Sequence, residues 1–330
     1  MILIGKSPYR ISLLGGGSDL DWFIEEKGYG FSLGYTLDKF SYSVVNKLPE
    51  NSLEGIIKYS SLETYKNVDD IIHPLIRESF KKLKIESHFE ISTFGFAQGG
   101  SGIGGSSSFL LSLIIALAKS QNIEFSPIKA AEYACDIEIN RLNKPIGRQD
   151  QYICAIGGIS SLKFEKNGNV TKNSISKEKY KVINNTIENL YLIPSRKTRK
   201  ADSILSKLQG NPLSIDQFKE IRELAKKFIL TNETRESHLT EILHSAIKES
   251  WKIKSEMSNV MNDNLVNTLN NINKHIPNQW IRLLGAGSGG YFLVCLKEDI
   301  KNPSELFISN GFENVIKASK TNEGVSINEL

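Results

Sequence analysis

The sequence predicts an α+β fold with two domains, and three observations support this. At 330 residues the chain is long enough to bury two hydrophobic cores. Strand patterns dominate its first half, and long helical patterns occupy residues 200–275. Strand patterns then return near the C-terminus. A polar stretch at residues 175–188 separates the two halves, so we predict domains at residues 1–185 and 186–330.

The first half alternates strand and helix patterns. β-branched and aromatic residues predict strands at "YRISLL", "FSLGYTL", "FSYSVVNKL", "HFEISTFGFA" and "SSLKF". Apolar residues at helical spacing predict a helix over 68–83 and another as far as about Gln121. Ser126 and Pro127 are typical of an N-cap followed by proline at the first helical position, and they predict a helix through Glu138.

The second half combines long helices with a few strands. Helical spacing is present in "SIDQFKEIRELAKKFIL", "LTEILHSAIKESWKIKSEM" and "LVNTLNNINKHI". Strand patterns occur at "LYLIP", within "WIRLLGAGSGGYFLVCL" and at "NVIKAS". A chain in which helices cluster between strands in this way fits an α+β fold.

Composition excludes several classes of protein. The 41 basic and 37 acidic residues give a net charge of +4 spread along the chain, which does not indicate a nucleic-acid partner. Three cysteines without CxxC spacing suggest reduced thiols, so we expect a cytoplasmic enzyme. The N-terminus lacks a signal-peptide pattern, and no apolar window has the length of a membrane span.

The segment "GGSGIGGSSSFLLSLI" (Gly99–Ile114) predicts a glycine loop at the start of a helix, which is a typical phosphate site. Its GxGxxG spacing also matches a dinucleotide fingerprint, with Glu124 about 20 residues further on. However, Ser126 and Pro127 begin another helix where that fold needs a strand. A second GxGxxG begins at Gly285 and precedes a strand, so a dinucleotide site is disfavoured.

Three serines follow the glycines and allow two interpretations. Ser106, Ser107 and Ser108 offer hydroxyls beside free backbone N–H groups, which suits a triphosphate and its Mg²⁺. Equally, the serines could only cap the helix while the glycines permit a turn. Residues elsewhere in the chain must decide between these interpretations.

Two carboxylates and an arginine are candidates for chemistry. Pro145 and Gly147 force a turn between Glu138 and Asp150, so both side chains could reach one pocket, as phosphoryl transfer requires. Otherwise, Glu138 would be a solvated helix charge and Asp150 a turn or cap residue. A buried Arg10 would need an anionic partner, either Asp150 or substrate, whereas an exposed Arg10 would need none.

Taken together, "SPYRISLLGGGSD", "GGSGIGGSSS" and "RLLGAGSGG" resemble, in order and spacing, the three motifs of the GHMP small-molecule kinases. The resemblance covers almost the whole chain. It implies a ribosomal protein S5 domain 2-like N-terminal domain and a ferredoxin-like C-terminal domain, with the active site between them. The second motif departs slightly, because Ile103 replaces the usual leucine and no proline precedes the loop.

The resemblance implies a role for each matching residue. Asp150 would be the base or orienting group, with Arg10 beside it keeping it ionised, and Ser106 and Glu138 would hold Mg²⁺. Gly285, Gly287 and Gly289 would form a third loop that closes on substrate. ATP would contact the residues of the second motif, namely Gly100, Ser101, Gly102, Ile103, Gly104, Gly105, Ser106 and Ser107.

Within this family, "RISLLGGGSD" and "GRQDQY" look like the branch that phosphorylates anomeric hydroxyls, which contains heptose 7-phosphate kinases and fucokinases. Substrate contacts would then include Gly17, Ser18, Asp19 and Gly287. "RKTRKADSIL" (Arg196–Leu205) is similar to a stretch of the heptose kinases. Its Arg199 would receive a substrate phosphate, or the run would simply be solvated charge.

The expected activity is therefore Mg·ATP-dependent phosphorylation of D-glycero-D-manno-heptose 7-phosphate at its anomeric hydroxyl, giving the 1,7-bisphosphate. Such a product would serve lipopolysaccharide or capsule synthesis, and the enzyme would be a monomer or homodimer. A kinase of fucose or another unphosphorylated sugar has the same motifs. A non-catalytic sugar or ATP sensor is the alternative of another class, and Asp150, Glu138 and Ser106 argue against it.

Overall fold

Two β-sheets and the helices packed on them make up the fold. The structure, a computed structural model, describes residues 2–97, 100–195, 205–206, 208–209, 211–258 and 260–330. The strands are β1 (Ile2–Leu14), β2 (Tyr29–Lys47), β3 (Gly55–Lys58), β4 (Leu62–Tyr65), β5 (Phe89–Gly95), β6 (Ile159–Glu165), β7 (Val170–Asn173), β8 (Leu190–Pro194), β9 (Asn278–Leu283), β10 (Tyr291–Leu296), β11 (Ile316–Lys317) and β12 (Ser326–Glu329).

The α-helices lie between these strands. They are α1 (Asp21–Lys27), α2 (Pro74–Leu83), α3 (Gly105–Ser120), α4 (Pro127–Cys135), α5 (Gln149–Ile156), α6 (Lys177–Ile187), α7 (Pro212–Leu230), α8 (Glu236–Ser255), α9 (Asp263–His275) and α10 (Pro303–Ser309). A π-helical turn, Asp136–Arg141, continues α4. Within the described ranges, no helix combines the length and apolarity needed to span a bilayer.

The first sheet is built around the long strand β2. Its main path runs β12-β1-β2-β5-β3-β4, and β6 and β7 extend it on one side. The first part of β2 pairs with β6 and the last part with β5, while β1 runs along nearly its whole length. The two strands predicted at "FSLGYTL" and "FSYSVVNKL" are thus one strand that changes neighbours.

The second sheet has the order β11-β8-β10-β9, and all its pairs are antiparallel. Numbered along the chain from β8, this order is 4-1-3-2. Helices α7 to α9 connect the first two of these strands and α10 connects the last two, so the sheet has the ferredoxin-like connectivity. The predicted α+β fold is confirmed.

The chain end returns to the first sheet. Strand β12 pairs with the start of β1, with Leu3 opposite Glu329. The polar stretch expected to separate the domains is not a linker, because it forms α6, which buries Val182 and Ile183. The division at residues 185 and 186 stays a prediction.

Helix boundaries were predicted well where capping residues mark them. Ser126 accepts a hydrogen bond from the Lys129 N–H at 3.2 Å, as an N-cap does, and Pro127 begins α4. In contrast, the helix predicted over 68–83 begins only at Pro74, after a short 3₁₀ turn over Val68–Asp70. Because α4 follows α3 directly, the parallel strand that a dinucleotide fold requires is absent from these described residues.

Candidate active site

A cleft of about 520 Å³ lies between the two sheets. One wall comes from the first half of the chain and carries all three predicted motif carboxylates and Arg10. The other wall comes from α7, α8, β9 and the loop that follows β9. The polar and charged side chains lining the cleft are Arg10, Ser12, Asp19, Ser106, Ser107, Glu138, Lys144, Gln149, Asp150, Lys254 and Arg282.

Two glycine loops meet at the end of this cleft. Gly102 and Gly285 both have positive φ, at 79° and 75°. A Cβ on Gly285 would lie 2.6 Å from the Gly102 Cα, and one on Gly290 would lie 2.5 Å from the Ser101 carbonyl oxygen. Glycine is therefore required on both sides, because only bare backbone allows this approach.

The start of α3 carries a carboxylate and hydroxyl cluster. Glu138 is fully buried. Its Oε1 accepts hydrogen bonds from Ser106 Oγ at 2.6 Å and Lys144 Nζ at 3.0 Å. Its Oε2 accepts from Ser107 Oγ at 2.8 Å and Gln151 Nε2 at 2.7 Å. The solvated-charge interpretation of Glu138 is wrong, since four donors hold this carboxylate in place beside the helix N-terminus.

Arg10 and Asp150 form a two-pronged ion pair across the cleft wall. Arg10 Nε donates to Asp150 Oδ1 at 2.7 Å, and Arg10 Nη2 donates to Asp150 Oδ2. The third nitrogen, Nη1, donates to the Gly102 carbonyl at 2.7 Å. The Arg10 side chain is 6 % exposed, whereas 25 % of the Asp150 side chain remains open. Arg10 thus orients Asp150 and ties it to the glycine loop.

Asp19 is held by the segment that also carries Asp150. Its Oδ2 accepts from the Gln149 N–H at 2.9 Å, and its Oδ1 accepts from the Gly17 N–H at 3.0 Å and Gln149 Nε2 at 3.1 Å. A Cβ on Gly147 would lie 2.0 Å from Asp19 Oδ2, so glycine is required there. Burial, with the Asp150 charge adding to it, raises the pKa of Asp19.

The opposite wall carries two cations. Lys254, on α8, donates to the Gly285 carbonyl, and Arg282, on β9, donates through Nη1 to the Leu13 carbonyl. Burial lowers the pKa of Lys254 to about 7, and the neighbouring charges of Arg282 and Arg10 act in the same direction. Burial, together with the Arg10 charge, lowers the pKa of Arg282 to about 10.

Most predicted site residues line this one cleft, namely Arg10, Gly17, Asp19, Gly100, Gly102, Gly104, Gly105, Ser106, Ser107, Glu138, Asp150, Gly287 and Gly289. Ser18 does not, because its buried hydroxyl bonds the Gly15 and Phe31 carbonyls and shapes the turn before Asp19. Ser101 and Ile103 are buried behind the loop. Arg199 lies outside the described residues, so its predicted role remains a prediction.

Sequence reasoning missed five polar or charged side chains of the cleft, which are Ser12, Lys144, Gln149, Lys254 and Arg282. Gln149 lies inside the quoted "GRQDQY" motif, and Arg282 is the first residue of "RLLGAGSGG". Both could have been singled out as polar residues beside motif glycines. Lys254 has no such signal, because a lysine near the end of a helix is ordinarily solvated.

Comparisons with known proteins agree with this geometry. Residues 67–158 match the family model of the GHMP kinases N-terminal domain. The D-glycero-α-D-manno-heptose 7-phosphate kinase of Campylobacter jejuni is 22 % identical over 97 % of this chain and 93 % of its own length. A D-glycero-D-manno-heptose 1-phosphate kinase structure from Bacteroides thetaiotaomicron has a TM-score of 0.73 at 19 % identity, covering 99 % of each chain.

A third similar structure is the galactokinase of Lactococcus lactis, with a TM-score of 0.73 at 13 % identity over 98 % of this chain and 95 % of the other. The matched domain, the fold and the glycine-lined cleft agree on one class: the chain carries a GHMP kinases N-terminal domain over residues 67–158 and is a phosphotransferase. Two of these similar proteins are kinases of heptose phosphates.

Proposed function

We propose that the protein transfers the γ-phosphoryl group of Mg·ATP to the anomeric hydroxyl of D-glycero-D-manno-heptose 7-phosphate or a closely similar sugar phosphate. The observation that carries the catalytic part is the Arg10–Asp150 pair, in which an oriented carboxylate is open to the cleft and tied to the glycine loop. The relative from C. jejuni supports the choice of sugar.

In this mechanism Asp150 accepts the proton of the attacking hydroxyl or orients that hydroxyl. An anomeric hydroxyl is more acidic than an ordinary alcohol, so a modest base suffices. Asp19 accepts hydrogen bonds from other sugar hydroxyls. Its three amide contacts leave one of its four acceptor sites free for a ligand. The backbone N–H groups at the start of α3 bind the phosphates.

Mg²⁺ fits the pair formed by Ser106 and Glu138. A hydroxyl and a carboxylate oxygen 2.6 Å apart at the edge of the cleft are the hard oxygen donors that this ion prefers. Bound there, the ion would neutralise charge on the phosphates. Lys144 contacts both oxygens, at 3.0 Å from Glu138 Oε1 and 3.2 Å from Ser106 Oγ, so its ammonium would move aside.

The test is ³¹P NMR of the protein with Mg·ATP and one of three acceptors: the heptose 7-phosphate, the heptose 1-phosphate or free fucose. A new anomeric phosphate from the 7-phosphate alone is the expected result. A product from fucose would support kinase activity with a different sugar as substrate. A product from the 1-phosphate would mean that the phosphoryl group is transferred to another hydroxyl. No product and no ADP from any sugar would contradict catalysis and favour a sensor.

A further inference from the structure

Lys254 and Arg282 differ from the other cations of the cleft in their partners. Arg10 pairs with Asp150, and Lys144 pairs with Glu138. Lys254 and Arg282 donate only to backbone carbonyls, those of Gly285 and Leu13, and Arg282 Nε has no hydrogen-bond partner among the described residues. Arg282 is 4 % exposed and Lys254 is half-buried, and neither has a carboxylate partner among the described residues, so a ligand anion is the natural counter-charge.

The charge of the cleft also calls for an anion on this wall. Among the described residues, the lining has four cationic side chains and three carboxylates, which are Arg10, Lys144, Lys254 and Arg282 against Asp19, Glu138 and Asp150. Each carboxylate is already engaged by donors on its own wall. The surplus positive charge therefore falls on the C-terminal wall.

The position of Lys254 points to the acceptor rather than the nucleotide. The carboxylates whose charges act on its ammonium are those of Asp19 and Asp150, the two residues proposed to face the sugar. Glu138, proposed to hold Mg²⁺ beside the nucleotide phosphates, is not among the described charges that mainly act on Lys254. An anionic group on the sugar would thus come within reach of Lys254.

We propose that Lys254 and Arg282 form a subsite for a phosphate monoester already present on the acceptor sugar, and that this subsite makes the enzyme select phosphorylated sugars. A guanidinium and an ammonium together suit a doubly charged tetrahedral group. The subsite rests on the proposed sugar-kinase function. It assigns to two described residues the contact that the sequence suggested for Arg199.

The first test compares two acceptors in two variants. Lys254→Met should lower the ratio of kcat/KM for heptose 7-phosphate to kcat/KM for free heptose by ~10- to 100-fold, the worth of a charged hydrogen bond. Lys252→Met is the matched control, since Lys252 is exposed on the same helix and should leave the ratio unchanged. An unchanged ratio in the Lys254 variant would overturn the subsite.

The second test needs no turnover, so it separates failure of the subsite from failure of the proposed activity. Sulfate keeps its charge near neutral pH. Its affinity for the protein is measured by calorimetry in the presence of a non-hydrolysable ATP analogue. Since the pKa of Lys254 is about 7 and a bound anion would raise it, sulfate affinity should fall as pH rises from 6 to 8.5.

The other charged groups that act on Lys254 are Arg10, Asp19, Asp150 and Arg282. Arg282, whose pKa is about 10, stays charged over this range. Asp19 titration would also weaken anion binding as pH rises, so the wild type is compared with Lys254→Met, which should show weaker binding and a flatter pH profile. The same steep profile in the variant, or loss of sulfate binding when the nucleotide analogue binds, would overturn the proposal.

Discussion

The two walls of the cleft satisfy their charges in opposite ways. On the wall from the first half of the chain, Arg10 holds Asp150 and four donors hold Glu138, so both carboxylates have fixed positions before any ligand arrives. On the wall from the second half, Lys254 and Arg282 donate to carbonyl oxygens and have no carboxylate partner in the part of the chain that the structure describes.

This contrast separates two tasks. A pre-arranged wall suits chemistry, because catalytic groups that are already oriented need no reorganisation during the reaction. A wall whose cations have no carboxylate partner among the described residues suits recognition. An incoming anionic ligand supplies that partner, whereas a neutral ligand does not. Substitutions on the first wall should therefore reduce turnover or metal use, and those on the second should change substrate choice and pH dependence.

The largest effect is expected from Asp150→Asn. The amide keeps the shape of the carboxylate but cannot accept the hydroxyl proton, so turnover should fall by roughly 10²–10⁴-fold. ATP affinity should change little, because Asp150 is proposed to face the acceptor. Steady-state kinetics and nucleotide titration measure the two effects separately. Asp136→Asn is the control, since Asp136 pairs with Lys82 outside the cleft. Near-full turnover in the Asp150 variant would refute its role.

Glu138→Gln should change the response to magnesium. The variant keeps a similar shape but loses the charge proposed to hold Mg²⁺, so the metal concentration for half-maximal activity should rise about 10- to 100-fold. Activity measured over a range of Mg²⁺ at fixed ATP shows this directly. Glu132→Gln, on the exposed face of α4, provides the comparison. An unchanged magnesium requirement would remove Glu138 from the metal site.

Local sequence signals predicted much of this architecture. The N-cap at Ser126, the glycines of both loops and the alternation of strands each follow from chemistry within a few residues. They were enough to select the glycine loops and the two carboxylates that line the cleft. Short strands such as β3 and β4 were missed, because four residues carry too little pattern to separate a strand from a loop.

What the sequence could not show depends on contacts between distant segments. Arg10 and Asp150 are 140 positions apart, so sequence alone left open whether Asp150 or substrate was the partner. Lys254 becomes unusual only because folding places it, half-buried, beside Arg282 and Arg10. The helix α6 was not predicted, since its apolar residues are few and its polar face dominates the composition.

Gly285→Ala should weaken the contact between the two walls. Its Cβ would lie 2.6 Å from the Gly102 Cα, so the two loops must separate, at a cost of ~1–3 kcal/mol in unfolding free energy. Gly311→Ala is a close control: Gly311 has a similar φ of 74°, but no atom lies within 4 Å of its Cβ position. Chemical denaturation of both variants isolates the clash from the backbone strain. Equal losses would mean that the loops do not press on each other.

The smallest effect expected is a pH-dependent gain in stability from Lys254→Met. Burial lowers the pKa of Lys254 from 10.5 to about 7, so keeping it charged in the folded protein costs free energy below pH 7. Between the folded-state pKa of about 7 and the unfolded-state pKa of 10.5, the unfolded chain binds more protons than the folded one. The free-energy cost of the charged lysine therefore shrinks as pH rises. The variant should therefore melt higher by about 1–2 °C at pH 6.5, for a net gain of ~1 kcal/mol after the lost Gly285 contact and solvent screening. The difference in melting temperature should narrow towards pH 9.

Thermal unfolding of wild type, Lys254→Met and the exposed Lys252→Met at several pH values measures this difference. A gap that stays constant with pH would show that Lys254 is solvated in the folded protein, and buried Arg282 would then carry the positive charge of the second wall without it.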